Sequence, residues 1–103
     1  MKYGCKSKQD VLLQLNYMVI HAPDFPPEGG MTTEMAFATV EYGLARIAEI
    51  DGTPSVLEGI GRIRSILEQA KLKFAQGEIV PACHLLQDAE DVLRPLRVKA
   101  GVS

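Results

Sequence analysis

Apolar residues recur at alternating spacings of four and three along two stretches of the chain. Val56, Ile60, Ile63, Leu67, Ala70 and Phe74 form the first series, and Ile79, Ala82, Leu86, Ala89, Leu93 and Leu96 form the second. A helix brings residues three and four apart onto one face, so each series reads as the buried seam of an α-helix. Only a short turn around Gly77 separates them. This predicts two helices, over 54–76 and 78–94, folded back on each other with the alanines of one seam opposite large residues of the other. Phe74 and Ile79 are expected to clasp the closed end of the hairpin. Pro81 falls in the first turn of the second helix, where a missing N–H does no harm, and Pro95 at its far end is expected to kink or stop it.

Upstream, Thr32 or Thr33 can cap a helix over 32–50, with Glu34 in the first turn, where the helix dipole favours negative charge. Its apolar residues form two stripes. Met35, Ala38, Tyr42 and Ala45 make one, and Phe37, Val40, Leu44 and Ile47 make the other. A helix striped in this way is expected to pack on two sides. Asp51-Gly52 ends it, and Thr53 followed by Pro54 opens the next in the cap-then-proline order. The first segment, 7–21, begins with Ser7 and Asp10 in a capping-box-like arrangement. Leu13, Leu15 and Tyr17 alternate with Gln14 and Asn16, a pattern that a strand would also satisfy; the cap and the length favour a helix. From Ala22 to Gly30 there are three prolines and two glycines, which marks a loop. The expectation is an all-α protein: a single domain over 1–103, built as an antiparallel four-helix bundle with a C-terminal helical hairpin.

Composition changes this picture little. The 103 residues are 47% hydrophobic and 23% charged, as in ordinary folded domains. No apolar run is long enough to span a bilayer, and the lysine-rich start lacks the apolar core of a secretory signal. Cys5 and Cys83 have no partner at metal or redox-motif spacing, so reduced thiols in a cytoplasmic protein are expected.

The charge distribution is more informative. The net charge is −2, yet between Asp10 and Glu58 eight acids face one base, Arg46, for a local charge of −7. Bases gather elsewhere: Lys2, Lys6 and Lys8 at the start, Arg62, Arg64, Lys71 and Lys73 on the third helix, and Arg94, Arg97 and Lys99 at the end. Glu34 and Glu41 lie seven apart and share a helix face, with Glu49 nearby. An acidic surface of this kind steers a basic protein partner. The expected contact residues are Asp24, Phe25, Glu28, Glu34, Glu41, Glu49 and Asp51. Phe25 serves either as a lid packed on the bundle or as an anchor, and Tyr42 is a second apolar centre.

Two short stretches resemble known families. Leu57 to Ser65, with Gly59-Ile60-Gly61 and then Arg62 and Arg64, resembles the hairpin of helix-hairpin-helix DNA-binding modules. That resemblance implies backbone N–H groups of Gly59 and Gly61 on a phosphate, with cationic support from Arg62 and Arg64. Glu58 stands where that family usually has proline, and the 3-4 seam runs through both glycines. The string His84 to Asp88 resembles the phosphoacceptor segment of histidine phosphotransfer domains, which implies His84 as acceptor, with Gln87 and Asp88 departing from the pattern.

Catalytic and metal chemistry find no foothold. Cys83 and His84 are adjacent and point about 100° apart on a helix, so they do not form a nucleophile-base pair. Position near a helix N-terminus would lower the Cys83 thiol pKa, but a small half-buried core cysteine is the commoner outcome. No Glu-x-x-His pair, phosphate loop or nucleophile elbow occurs. The sequence therefore predicts no cofactor, no metal and no enzymatic activity. It predicts a small acidic binding module, with an immunity-type inhibitor, a chaperone or an adaptor of a basic protein as its forms. Nucleic-acid binding is the alternative, membrane association is not expected, and nothing in the chain indicates an oligomeric state.

Overall fold

Residues 7–98 are described by a computed structural model; Lys2, Cys5, Lys6 and Lys99 lie outside the described residues. Four α-helices account for most of them: α1 (Lys8–His21), α2 (Thr33–Ile50), α3 (Pro54–Ala75) and α4 (Ile79–Leu93). These spans agree with the periodicity to within one residue at each end, the difference being the caps. Ser7 Oγ accepts from the Asp10 N–H at 3.2 Å and Thr32 Oγ1 from the Met35 N–H at 3.1 Å, so Thr32 rather than Thr33 caps α2. At the end of α3, the Glu78 N–H reaches the Lys73 carbonyl and the Gly77 N–H that of Phe74. This reversal places Gly77 at φ 76°, where a side chain is disfavoured.

The helices pack in cyclic order, each against the next, with α4 closing on α1. Contacts near the ends give their directions. Lys8 Nζ donates to the carbonyls of Arg94 and Leu96 at 2.7 and 2.8 Å, and the Cys83 thiol meets the Val19 carbonyl at 3.7 Å. The start of α1 thus meets the end of α4, and the reverse. Phe37, early in α2, meets Phe74, late in α3. Lys8 and Leu12 share a hollow with Ile47 and Ile50, setting α1 against α2 in opposite directions.

The core follows the seams. Val56, Ile60, Ile63, Leu67 and Ala70 of α3, and Ala82, Leu86, Ala89 and Leu93 of α4, are all buried. Gly59 lies in the same face. A β-carbon built there would fall 2.5 Å from Leu96 Cδ1, whereas one at Gly61 would meet nothing within 4 Å. On α1 the buried positions are Val11, Leu15 and Met18, continued by Ala22. That helical series replaces the strand-like alternation because Leu13 and Ile20 remain in solvent, 58% and 66% exposed. No described helix is long and apolar enough to cross a membrane.

One expectation is corrected. The stripe of Ala38, Tyr42 and Ala45 on α2 is exposed and Met35 only half-buried. A single broad face, including Ala36, Phe37, Val40, Gly43, Leu44 and Ile47, supplies the packing against both neighbours. Phe74, near the closed end of the hairpin, is half-buried. Its ring meets Phe37 edge-on, with centroids 6.0 Å apart and planes at 72°.

If these seams carry the fold, Leu67→Ala and Leu86→Ala each lower the unfolding free energy by about 2–5 kcal/mol. Leu13→Ala, made at an exposed site, changes it by about 0.5 kcal/mol or less. Urea denaturation of the three variants makes the comparison.

Candidate functional site

Of the four neighbouring pairs, α2 and α3 touch least. They meet through Phe37 and Phe74 and through an ion pair between Arg64 Nη2 and Glu41 Oε1 at 2.7 Å. Between these contacts the helices part and leave a groove. One hollow of about 580 Å³ lies between Pro23, Thr33, Glu34, Ala38, Phe74 and Ala75, with Phe37 at its base. A second of about 410 Å³ continues past Phe37, Glu41, Leu67 and Lys71. The Lys71 ammonium sits 5.6 Å from the centre of the Phe37 ring and 3.0 Å from Glu68 Oε2. The groove is thus apolar at its base and charged along its rims.

The expected acidic surface is present only in part. Glu34, Glu41 and Glu49 share the outward side of α2 with Ala38, Tyr42 and Ala45, all exposed. Acids therefore frame an apolar strip, in which Tyr42 is 47% exposed. Two of these acids already have partners: Glu41 has Arg64, and Glu49 has Arg46 at 3.6 Å. Asp51 is not on the surface. It is buried, and its carboxylate accepts from the Thr53 N–H at 3.1 Å, which holds the link between α2 and α3 and removes it from any docking face.

Phe25 lies back on the bundle, stacked on Tyr17 with ring centroids 5.6 Å apart and planes at 23°. Tyr17 in turn meets His21 at 4.6 Å. Of the two roles open to Phe25, this contact is that of a lid. Asp24 and Glu28, on the same loop, are exposed.

The basic cluster of α3 is also largely compensated. Arg64 pairs with Glu41, Lys71 with Glu68, and Lys73 with Glu78 at 3.6 Å; Arg62 is exposed. Gly59, Ile60 and Gly61 lie inside the continuous helix α3. The hairpin turn that the resemblance implied does not form, in line with the helix expected over 54–76, and the Gly59 and Gly61 N–H groups are helical rather than turned toward a phosphate. His84 is exposed on α4, whereas Cys83 faces α1. Cys83 is half-buried, as the commoner of its two readings has it, and burial pushes its thiol up rather than down. Among the described residues no cluster of ligating side chains suits a metal ion.

Sequence reasoning missed Phe37, Ala38, Phe74 and Ala75 as walls of one groove. The signal available was the three-residue link from Asp51 to Thr53, which forces α2 and α3 to be neighbours. A hollow of about 820 Å³ also opens at the opposite end of the bundle, beside Lys8, Leu12 and Leu96. It is larger, but its lysine is already committed to two backbone carbonyls. No family model, curated protein or solved structure matches the chain.

One titratable group is held in an unfavourable setting. The Glu90 side chain on α4 is 11% exposed, with Arg94 Nη2 at 3.6 Å. Loss of hydration raises its pKa, Arg94 opposes the rise and Asp91 adds to it. A carboxyl whose pKa is higher in the folded state favours folding when protonated. That contribution is complete below the ordinary carboxylate range and fades as pH rises through the folded pKa. Glu90→Gln should therefore match or exceed the parent in thermal stability at neutral pH, with its advantage shrinking as the pH falls through the raised folded pKa and gone below the ordinary carboxylate range. Melting temperatures of both proteins across that range measure the effect.

Proposed function

We propose that the chain is a small, non-enzymatic protein-binding module acting in the cytoplasm, and that its partner is a basic protein. One observation carries this reading. The outward side of α2 presents an apolar strip, Ala38, Tyr42 and Ala45, framed by Glu34, Glu41 and Glu49. Interfaces combine an apolar centre that holds with a charged rim that steers. An inhibitor of a basic enzyme, of the immunity type, suits this pattern best, and a chaperone or adaptor for a basic segment has the same requirements. Nucleic-acid binding loses its support once Gly59 and Gly61 are helical and Arg64 and Lys71 are paired within the protein.

The test is a capture of partners from the source cell, followed by association kinetics at several salt concentrations. The double variant Glu34→Lys/Glu49→Lys leaves the Glu41–Arg64 pair intact. It should slow association of the captured partner about tenfold or more and flatten its salt dependence. Unchanged kinetics, or nucleic acid as the only captured partner, would overturn the proposal.

A further inference from the structure

Internal ion pairs redistribute the acidic surface, and the redistribution singles out one end of the α2–α3 groove. Glu41 and Glu49 are matched by Arg64 and Arg46. Around the mouth of the 580 Å³ hollow, Glu34 forms part of the wall, and Asp24 follows the wall residue Pro23 in the chain. Neither acid makes a salt bridge to a described residue, and the same holds for Glu28 in the short turn Pro27–Gly29. Of the three, Glu34 lines the mouth and Asp24 adjoins a residue that does. Glu58 and Asp88 also make no salt bridge to a described residue, but they lie on α3 and α4 and do not line the hollow.

The cation on the opposite wall does not call for an anionic ligand. Lys71 is already held by Glu68 and lies over the Phe37 ring. The interior surfaces come from Phe37, Ala38, Phe74, Ala75 and Pro23, and the volume falls in the range of built ligand sites. A hollow of this composition takes a large apolar side chain, the kind of anchor that dominates interface energetics.

We propose that this hollow is the anchor pocket of the binding module: it receives a leucine, methionine or aromatic side chain of the partner, with an adjacent lysine or arginine meeting Glu34 and the Asp24–Glu28 loop. The assignment rests on the reading of the chain as a protein-binding module. It moves the centre of the contact from the outer strip around Tyr42 to the groove between α2 and α3.

The probe is a short synthetic peptide carrying tryptophan and leucine flanked by lysines, paired with a twin in which glutamates replace the lysines. Each is titrated into the ¹⁵N-labelled full chain. The lysine peptide should shift the amides of residues 33–41 and 71–76, and the glutamate twin should bind about tenfold more weakly or less. Glu34→Gln should weaken the lysine peptide about two- to fivefold, as expected for one exposed ion pair. Ala38→Phe and Ala75→Phe, made at exposed positions on opposite walls, should each block it, while Tyr42→Ala should not.

Equal binding of the two peptides, shifts centred on residues 42–49, or no shifts in large peptide excess would overturn the pocket. So would a captured partner that responds to the Glu34→Lys/Glu49→Lys pair but not to Ala38→Phe. In that last case the module reading would stand and the pocket alone would fall.

Discussion

The close approach of α3 to the chain that follows α4 is the constraint on which the rest of the bundle depends. At Gly59 the helix has no side chain, and Leu96 occupies the space a β-carbon would take. That contact fixes the open end of the hairpin, as the Gly77 reversal fixes the closed end. Between them the seams of α3 and α4 are buried together. Lys8 then ties α1 to the same place through the Arg94 and Leu96 carbonyls. With the apolar face of α3 committed to α4, α2 reaches only its edge, through one aromatic pair and one ion pair. The groove is the consequence of that division.

The parts of this fold that were legible in the sequence are those governed by local periodicity. The seams of α3 and α4 could be read residue by residue, because nearly every large apolar side chain in them is buried. The first helix was less clear, since Leu13 and Ile20 are exposed and break the helical pattern. On α2 two apolar stripes looked equivalent, and only the placement of its neighbours separates the buried one from the exposed one. Gly59 and Gly61 pose the same problem. The seam places Gly59 on the buried face between Val56 and Ile63 and Gly61 off it, but nothing local tells that Leu96 fills the space at Gly59.

The candidate site was harder to read because charge along the chain is not charge in space. Counting acids from Asp10 to Glu58 included Asp51, which turns inward to hold the Thr53 N–H, and Glu41, which Arg64 neutralises from the next helix. Both facts require knowing which elements are adjacent. Phe25 posed a choice between lid and anchor, and in the free chain its ring is stacked on Tyr17. What survives is smaller than the surface the charge count suggested: an acidic loop and the first turn of α2, beside a groove floored by two phenylalanines.

A comparison of Gly59→Ala with Gly61→Ala tests the organising constraint most directly, because both make the same change in the same helix. Alanine removes the helix-interior glycine penalty at either site, which raises stability by about 0.5–1 kcal/mol where space permits. The account predicts that gain at Gly61. At Gly59 it predicts that this gain is lost, because the new methyl must push the Leu96 side chain aside. Equal stabilisation by both substitutions in urea denaturation would contradict it.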